Sequence, residues 1–139
     1  MVRLGLVVAQ FNGAITERMA DAARAAADEH DAEVVETVPV PGAYDAPLAA
    51  DRLARRDDVD AIAALGAIVT GETDHDRVIG NAVAGGLTDV SLERDTPVTL
   101  GITGPGMSPE QARDRVDYGA RAVESAIRMA ERLPPEEPQ

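Results

Sequence analysis

The sequence predicts an α/β fold, a three-layer α/β/α sandwich of flavodoxin-like type with a four-stranded parallel sheet flanked by helices. Two observations carry this. Apolar, β-rich runs alternate along the chain with helix-like segments, the pattern of β-α units joined by right-handed crossovers. The first and third runs, LGLVVA and AIAALGAIV, are apolar almost throughout, as strands buried on both faces of a parallel sheet must be. The length, 139 residues, suits a single domain able to bury a core without staples. Hydrophobic residues make up 45% of the chain and aromatics only 2%, so that core is built from Ala, Val, Leu and Ile with closely packed helices.

In order, the strands are expected at Leu4 to Ala9, Val34 to Val38, Ala61 to Val69 and Val98 to Ile102. The first helix should begin near Thr16 as N-cap and bury Met19, Ala22, Ala23 and Ala26. The second spans Ala46 to Arg56 with Leu48, Ala49 and Leu53 inward. The third spans Asp76 to Leu92, with Val78, Ile79, Ala82, Val83, Gly86, Leu87 and Val90 on its apolar face. Gly85 and Gly86 weaken it intrinsically, which close packing would offset. The fourth has the clearest start: Ser108-Pro109-Glu110-Gln111 is a capping box with proline at the first helical position. Its stripe of Ala112, Val116, Gly119, Val123, Ile127 and Ala130 runs to about Leu133, giving one domain over 1–133. The tail PPEEPQ, 134–139, cannot continue the helix and is expected to be flexible.

The 13 basic residues are all arginine, against 25 acidic ones, for a net charge of −12. A surface rich in Asp and without lysine stays hydrated in concentrated salt, where repulsion is screened within a few Å, and we read a halophilic cytoplasm from it. No basic stripe exists to neutralise phosphates along a groove, which argues against a nucleic-acid partner. Without cysteine, disulfides, thiolate nucleophiles and Cys-based zinc sites are excluded. The apolar runs are too short to span a bilayer, and the chain opens directly on a strand-like pattern, so a soluble, cytoplasmic protein without a membrane partner is expected.

In parallel sheets of this kind ligands bind beyond the carboxyl ends of the strands, which selects the loops QFNGAIT, PVPGAYD, TGETDH and TGPGMS. TGETDH precedes a helix, so its backbone N–H groups and the helix dipole suit an anion such as phosphate. It equally suits a plain glycine turn with Thr73 or Asp74 as cap. His75 offers a group that moves protons near neutrality, or is a surface residue. Phe11, the sole phenylalanine, stands in a loop outside the core, where it either stacks on a planar ligand or anchors the loop. Tyr44 and Asp45 either line a pocket or start a helix. Arg113 and Arg115 either reach an anion or serve solubility. The lack of lysine excludes an enzyme-borne imine, which leaves positioning, electrostatics and proton transfer.

Five pieces in order, AQFNGAITERM, VPGAYDAPLAA, ALGAIVTGETDH, TPVTLGITGPGM and QARDRVDYGARAVESAIRMA, resemble the lumazine synthase family over nearly the whole chain, and GETDH and GPGM look most like its archaeal branch. The resemblance implies condensation of 5-amino-6-(D-ribitylamino)uracil with 3,4-dihydroxy-2-butanone 4-phosphate in riboflavin biosynthesis, with no cofactor, no metal and no enzyme lysine. It implies that Phe11 stacks on the pyrimidine with Asn12 beside it. Ala43, Tyr44 and Asp45 bind the ribityl chain and ring, and Ala67, Ile68 and Val69 contact the uracil. Gly71, Glu72, Thr73 and Arg115 bind phosphate, His75 transfers protons, and Leu100 takes a pocket position. Asp45 stands where many members have glutamate, Glu72 where many have alanine, and Tyr118 or Ala120 where many have a lysine. The family also implies a homo-oligomer, a pentamer or a dodecamer of pentamers, with sites shared between neighbours. Two alternatives are an archaeal-type riboflavin synthase, which needs no phosphate site, and a non-catalytic flavin-binding or shell-forming relative.

Overall fold

A computed structural model describes residues 1–69 and 74–134. The chain runs β1 (Arg3–Ala9), α1 (Gly13–Glu29), β2 (Glu33–Val40), a 3-10 turn (Ala43–Asp45) and α2 (Ala46–Ala54). It continues through β3 (Ala61–Val69), α3 (His75–Arg94), β4 (Val98–Met107), α4 (Pro109–Asp114) and α5 (Tyr118–Arg132). Of the expected tail, 135–139 lie outside the described residues.

The strands form one parallel sheet in the order β2-β1-β3-β4. The two inner strands are β1 and β3, the runs whose unbroken apolar character predicted burial on both faces. On one side α1 and α5 pack on Leu4, Leu6, Val8, Ala63 and Leu65 through Ala23, Ala27, Val123 and Ala126. On the other, α2 and α3 pack on Val7, Ala9, Ile62 and Ala64 through Ala50, Leu53, Val83 and Leu87. The layers are those of the predicted sandwich. Each fully buried Leu or Ile stabilises it by roughly 1.5–3 kcal/mol.

The aromatic-poor composition lets backbones approach closely. Gly119 of α5 sits against the Met19 main chain of α1, and Gly86 of α3 lies where a Cβ would come within 2.9 Å of the Pro47 ring. Close packing thus accounts for Gly86, whereas nothing approaches Gly85.

Several elements depart from the pattern. α1 starts at Gly13 and not near Thr16, because Asn12 adopts a left-handed conformation (φ 62°, ψ 41°) and its carbonyl accepts from the N–H groups of Ile15 and Thr16. Thr16 is instead buried inside the first turn. β4 continues to Met107, so TGPGM belongs mostly to a strand end. The capping box forms as expected, with Ser108 Oγ accepting from the Gln111 N–H at 3.2 Å and Gln111 Oε1 from the Ser108 N–H at 2.9 Å. The single C-terminal helix is nevertheless two. The backbone leaves helical geometry at Arg115 (φ −109°, ψ 24°), and Tyr118 and Gly119 donate three residues back in a tightened turn. Leu48, Val78 and Ala82 point outward, since α2 and α3 face the sheet through Ala46, Ala50 and Leu53 and through Val83, Leu87 and Val90.

Two ion-pair clusters fasten the edges of this framework. Asp60, before β3, accepts from the Arg3 backbone N–H at 2.8 Å and from its guanidinium at 3.3 Å. Asp51 of α2 holds Arg94 of α3 at 2.8 Å and Arg55 at 2.8 Å. Burial acts to raise the Asp60 pKa, but the Arg3 hydrogen bonds and charge outweigh it and hold the carboxyl below its ordinary value. Asp51 is lowered first by its hydrogen bond from Arg94, against an opposing effect of burial. A carboxylate depressed on folding contributes stability that is fully present above its unfolded pKa and is lost as pH falls through the folded one. Acid unfolding should therefore steepen below pH 3.8, the ordinary aspartate value. Urea midpoints measured across that range should fall less steeply for Asp60→Asn than for the parent chain; equal slopes would remove Asp60 from the acid response.

Candidate functional site

The strand order moves outward from β1 to β2 in one direction and through β3 to β4 in the other, so the carboxyl ends of β1 and β3 flank a crevice, the ligand position of such sheets. A cavity of about 440 Å³ opens there. Three chain exits build it. After β1 come Phe11 and Asn12; after β2 come Pro41, Gly42, Ala43 and Tyr44; the end of β3 supplies Ala67, Ile68 and Val69. The first turn of α3 closes the far side with His75, Asp76 and Ile79.

Eight of the sequence-predicted residues meet in this cavity: Phe11, Asn12, Ala43, Tyr44, Ala67, Ile68, Val69 and His75. The Phe11 ring is 70% exposed, although its backbone is held by an N–H to the Pro41 carbonyl at 3.0 Å. A large apolar ring kept out of the core at the rim of a cavity is available for stacking on a flat partner. Asp45 stands just outside the lining. Its Oδ2 accepts from the Gly42 N–H at 3.0 Å, which orients the carboxylate beside the Gly42-Ala43-Tyr44 wall. His75 is the first residue of a 20-residue helix, so its imidazole lies where the N-terminal dipole favours negative charge.

Leu100 and Arg115 are not brought to this cavity by their own chain. Leu100, in the middle of β4, is 55% exposed and lines a separate depression with Thr99, Tyr118 and Arg121. Arg115 caps α4, half-buried, with its N–H on the Ala112 carbonyl at 3.2 Å. Gly71, Glu72 and Thr73, expected to bind phosphate, lie outside the described residues.

Ala9, Pro41, Gly42, Asp76 and Ile79 also line the cavity and were not singled out as site residues. Ile79 was legible in principle, because it lies one helical turn after His75 and shares its face. Asp76 adds a carboxylate to the same wall.

A family model described as 6,7-dimethyl-8-ribityllumazine synthase matches residues 1–134. The chain belongs to the 6,7-dimethyl-8-ribityllumazine synthase family. Among proteins of that name, the one from Halobacterium salinarum is 67% identical over 96% of this chain and 100% of its own length. That from Halorubrum lacusprofundi is 66% identical over 96% and 99%. The Methanocaldococcus jannaschii protein is 47% identical over 96% and 94%. The activity is accordingly lumazine synthase activity, a transferase step of riboflavin biosynthesis acting on small molecules. The halophilic relatives accord with the lysine-free, acidic surface. Among the described residues no helix is long and apolar enough to cross a membrane.

Proposed function

We propose that the crevice between β1 and β3 is where lumazine synthase chemistry takes place, condensing 5-amino-6-(D-ribitylamino)uracil with 3,4-dihydroxy-2-butanone 4-phosphate. The carrying observation is that Phe11, Tyr44, the β3 end and His75 converge on one cavity although they are far apart in sequence. Phe11 stacks on the pyrimidine, and the Ala67-Ile68-Val69 backbone reads its edge. Ala43, Tyr44 and Asp45 take the ribityl chain. Gly71, Glu72 and Thr73, directly before α3, take the phosphate with Arg115.

The reaction needs no covalent bond to the enzyme. The amine adds to the ketone, and loss of one water gives an imine between the substrates. Proton loss from the adjoining carbon expels phosphate, and ring closure with loss of a second water gives the lumazine. Holding amine and ketone in attack geometry supplies much of the acceleration.

Leu100 and Arg115 complete the cavity of a neighbouring subunit in this reading, which makes the protein a homo-oligomer, a pentamer or a dodecamer of pentamers. Two features support it: neither residue lines its own cavity, and Phe11, Tyr44 and Leu100 all expose large apolar surface. The chain itself extends over 1–133 as one domain with a short acidic tail, and works in a salt-rich cytoplasm.

The direct test mixes the two substrates and follows inorganic phosphate together with lumazine absorbance. Equal amounts of both are expected. Phosphate without lumazine would mean that the ketone is broken down without condensing, and either that or neither product would sink the assignment. In the same assay Arg115→Ala should raise the KM for the phosphorylated ketone about tenfold, the loss of one charge-assisted hydrogen bond, with little change in the pyrimidine KM. A rise confined to the pyrimidine would place Arg115 elsewhere.

A further inference from the structure

We infer that Asn12 is a positioning residue: its carboxamide ties the Phe11 loop to the end of β3 and thereby fixes the gap between the two walls that take the pyrimidine. This rests on the pyrimidine reading of the cavity given above, and goes beyond it by assigning Asn12 a role through Phe11.

Asn12 is the N-cap of α1 yet makes no side-chain cap hydrogen bond. An asparagine at that position ordinarily turns its carboxamide oxygen back onto the first-turn N–H groups. Here the Nδ2 group donates instead to the Ala67 carbonyl at 2.8 Å, across 55 positions of sequence. The left-handed backbone (φ 62°, ψ 41°) makes this possible, and asparagine is among the few residues other than glycine that adopt it readily.

The acceptor is equally informative. Pairing of β1 with β3 ends at Val8 and Leu65, and Ala67 is only 5% exposed. The Asn12 carboxamide therefore supplies a donor to a buried carbonyl just beyond the β1–β3 ladder. Phe11 is consequently pinned on both sides, by its own N–H on the Pro41 carbonyl of the β2 exit and by the next residue's side chain on β3. The loop that carries the exposed ring is thus tied at the edge of the cavity that Ala67 and Ile68 also line, so binding need not order it. In the reading above the phosphate binds toward α3, whereas this tie joins Asn12 to β3.

Asn12→Gly keeps the left-handed backbone and deletes the carboxamide. Asn12→Asp keeps the local preference but turns an oxygen toward the Ala67 carbonyl. Steady-state kinetics with both substrates should show the pyrimidine KM raised about tenfold in each variant, the ketone phosphate KM within about twofold, and kcat changed less than about threefold. In a Phe11→Ala background the same Asn12→Gly change should cost less than about threefold, because its effect passes through the ring. An unchanged pyrimidine KM, equal rises in both KM values, or a full tenfold cost in the Phe11→Ala background would overturn the proposal. If Asn12→Gly does not fold, Asn12→Asp carries the comparison; if neither folds, the carboxamide serves the fold and the proposal is overturned. No turnover of the pyrimidine by the parent chain would instead mean that the functional reading itself has failed.

Discussion

Gly119→Ala should lower the melting temperature by roughly 10 °C or abolish soluble expression, as expected for overpacking worth about 3 kcal/mol or more in a domain of this size. The added Cβ would overlap the Met19 carbonyl oxygen and lie 2.8 Å from its carbon. Both are main-chain atoms inside α1, so relief requires moving one whole helix against the other. Met19 and Val123 are fully buried on these helices, and a displacement would open the core on that face of the sheet. Gly5→Ala is the contrasting case. Its Cβ would meet the Leu53 Cδ1 at 2.9 Å, the free end of a side chain that can change rotamer. About 1–2 kcal/mol is expected there. Thermal unfolding of the two variants under one salt condition separates them, and a Gly119→Ala chain melting as the parent does would show that α5 is not seated against α1 as described.

The same glycine shows what could and could not be read from sequence. Its place on the buried stripe of the last helix was legible from spacing, but the break before it was not. Ser108 to Gln111 signals a helix start, and Ala112 and Val116 continue a helical period into Gly119, so nothing local announces the turn at Arg115. The break follows from tertiary fit, which lets α5 lie on α1 while α4 packs Ala112 beside Met107. β1 and β3 were legible because burial on both faces leaves no polar alternation. Leu48 and Val78 were misjudged because periodicity marks an apolar face without saying which half of it meets the sheet. The cavity followed from a rule about strand ends, which located Phe11, Tyr44 and His75 from topology alone. Asn12 escaped as a cap because Thr16 satisfied the usual composition signal, whereas the Asn12 side chain caps nothing and donates to a carbonyl 55 positions away. Leu100 and Arg115 did not join the cavity because one chain's geometry does not bring them there.

His75→Ala is expected to lower kcat about 10²-fold, the contribution of one positioned proton-transfer group, while the KM for the phosphorylated ketone stays within about twofold. The separation follows from the arrangement at the start of α3. In the proposed reading the phosphate lies at the N-terminus of α3, whose dipole favours an anion whether or not an imidazole is present, so binding should survive. Turnover should not, because imine formation, phosphate expulsion and ring closure each move a proton between nitrogen, carbon and oxygen. Imidazole is the side chain suited to both taking and giving one near neutrality. The cavity also contains Asp76 on the neighbouring position, and a carboxylate there could take over part of the work. His75→Ala with Asp76→Asn should therefore be slower than His75→Ala alone if Asp76 is the reserve, and equal to it if residual turnover comes only from holding the substrates together. Single-turnover measurements with saturating ketone phosphate decide the matter, since they report the chemical steps without product release. A His75→Ala chain with parental single-turnover rate would leave its catalysis to orientation alone.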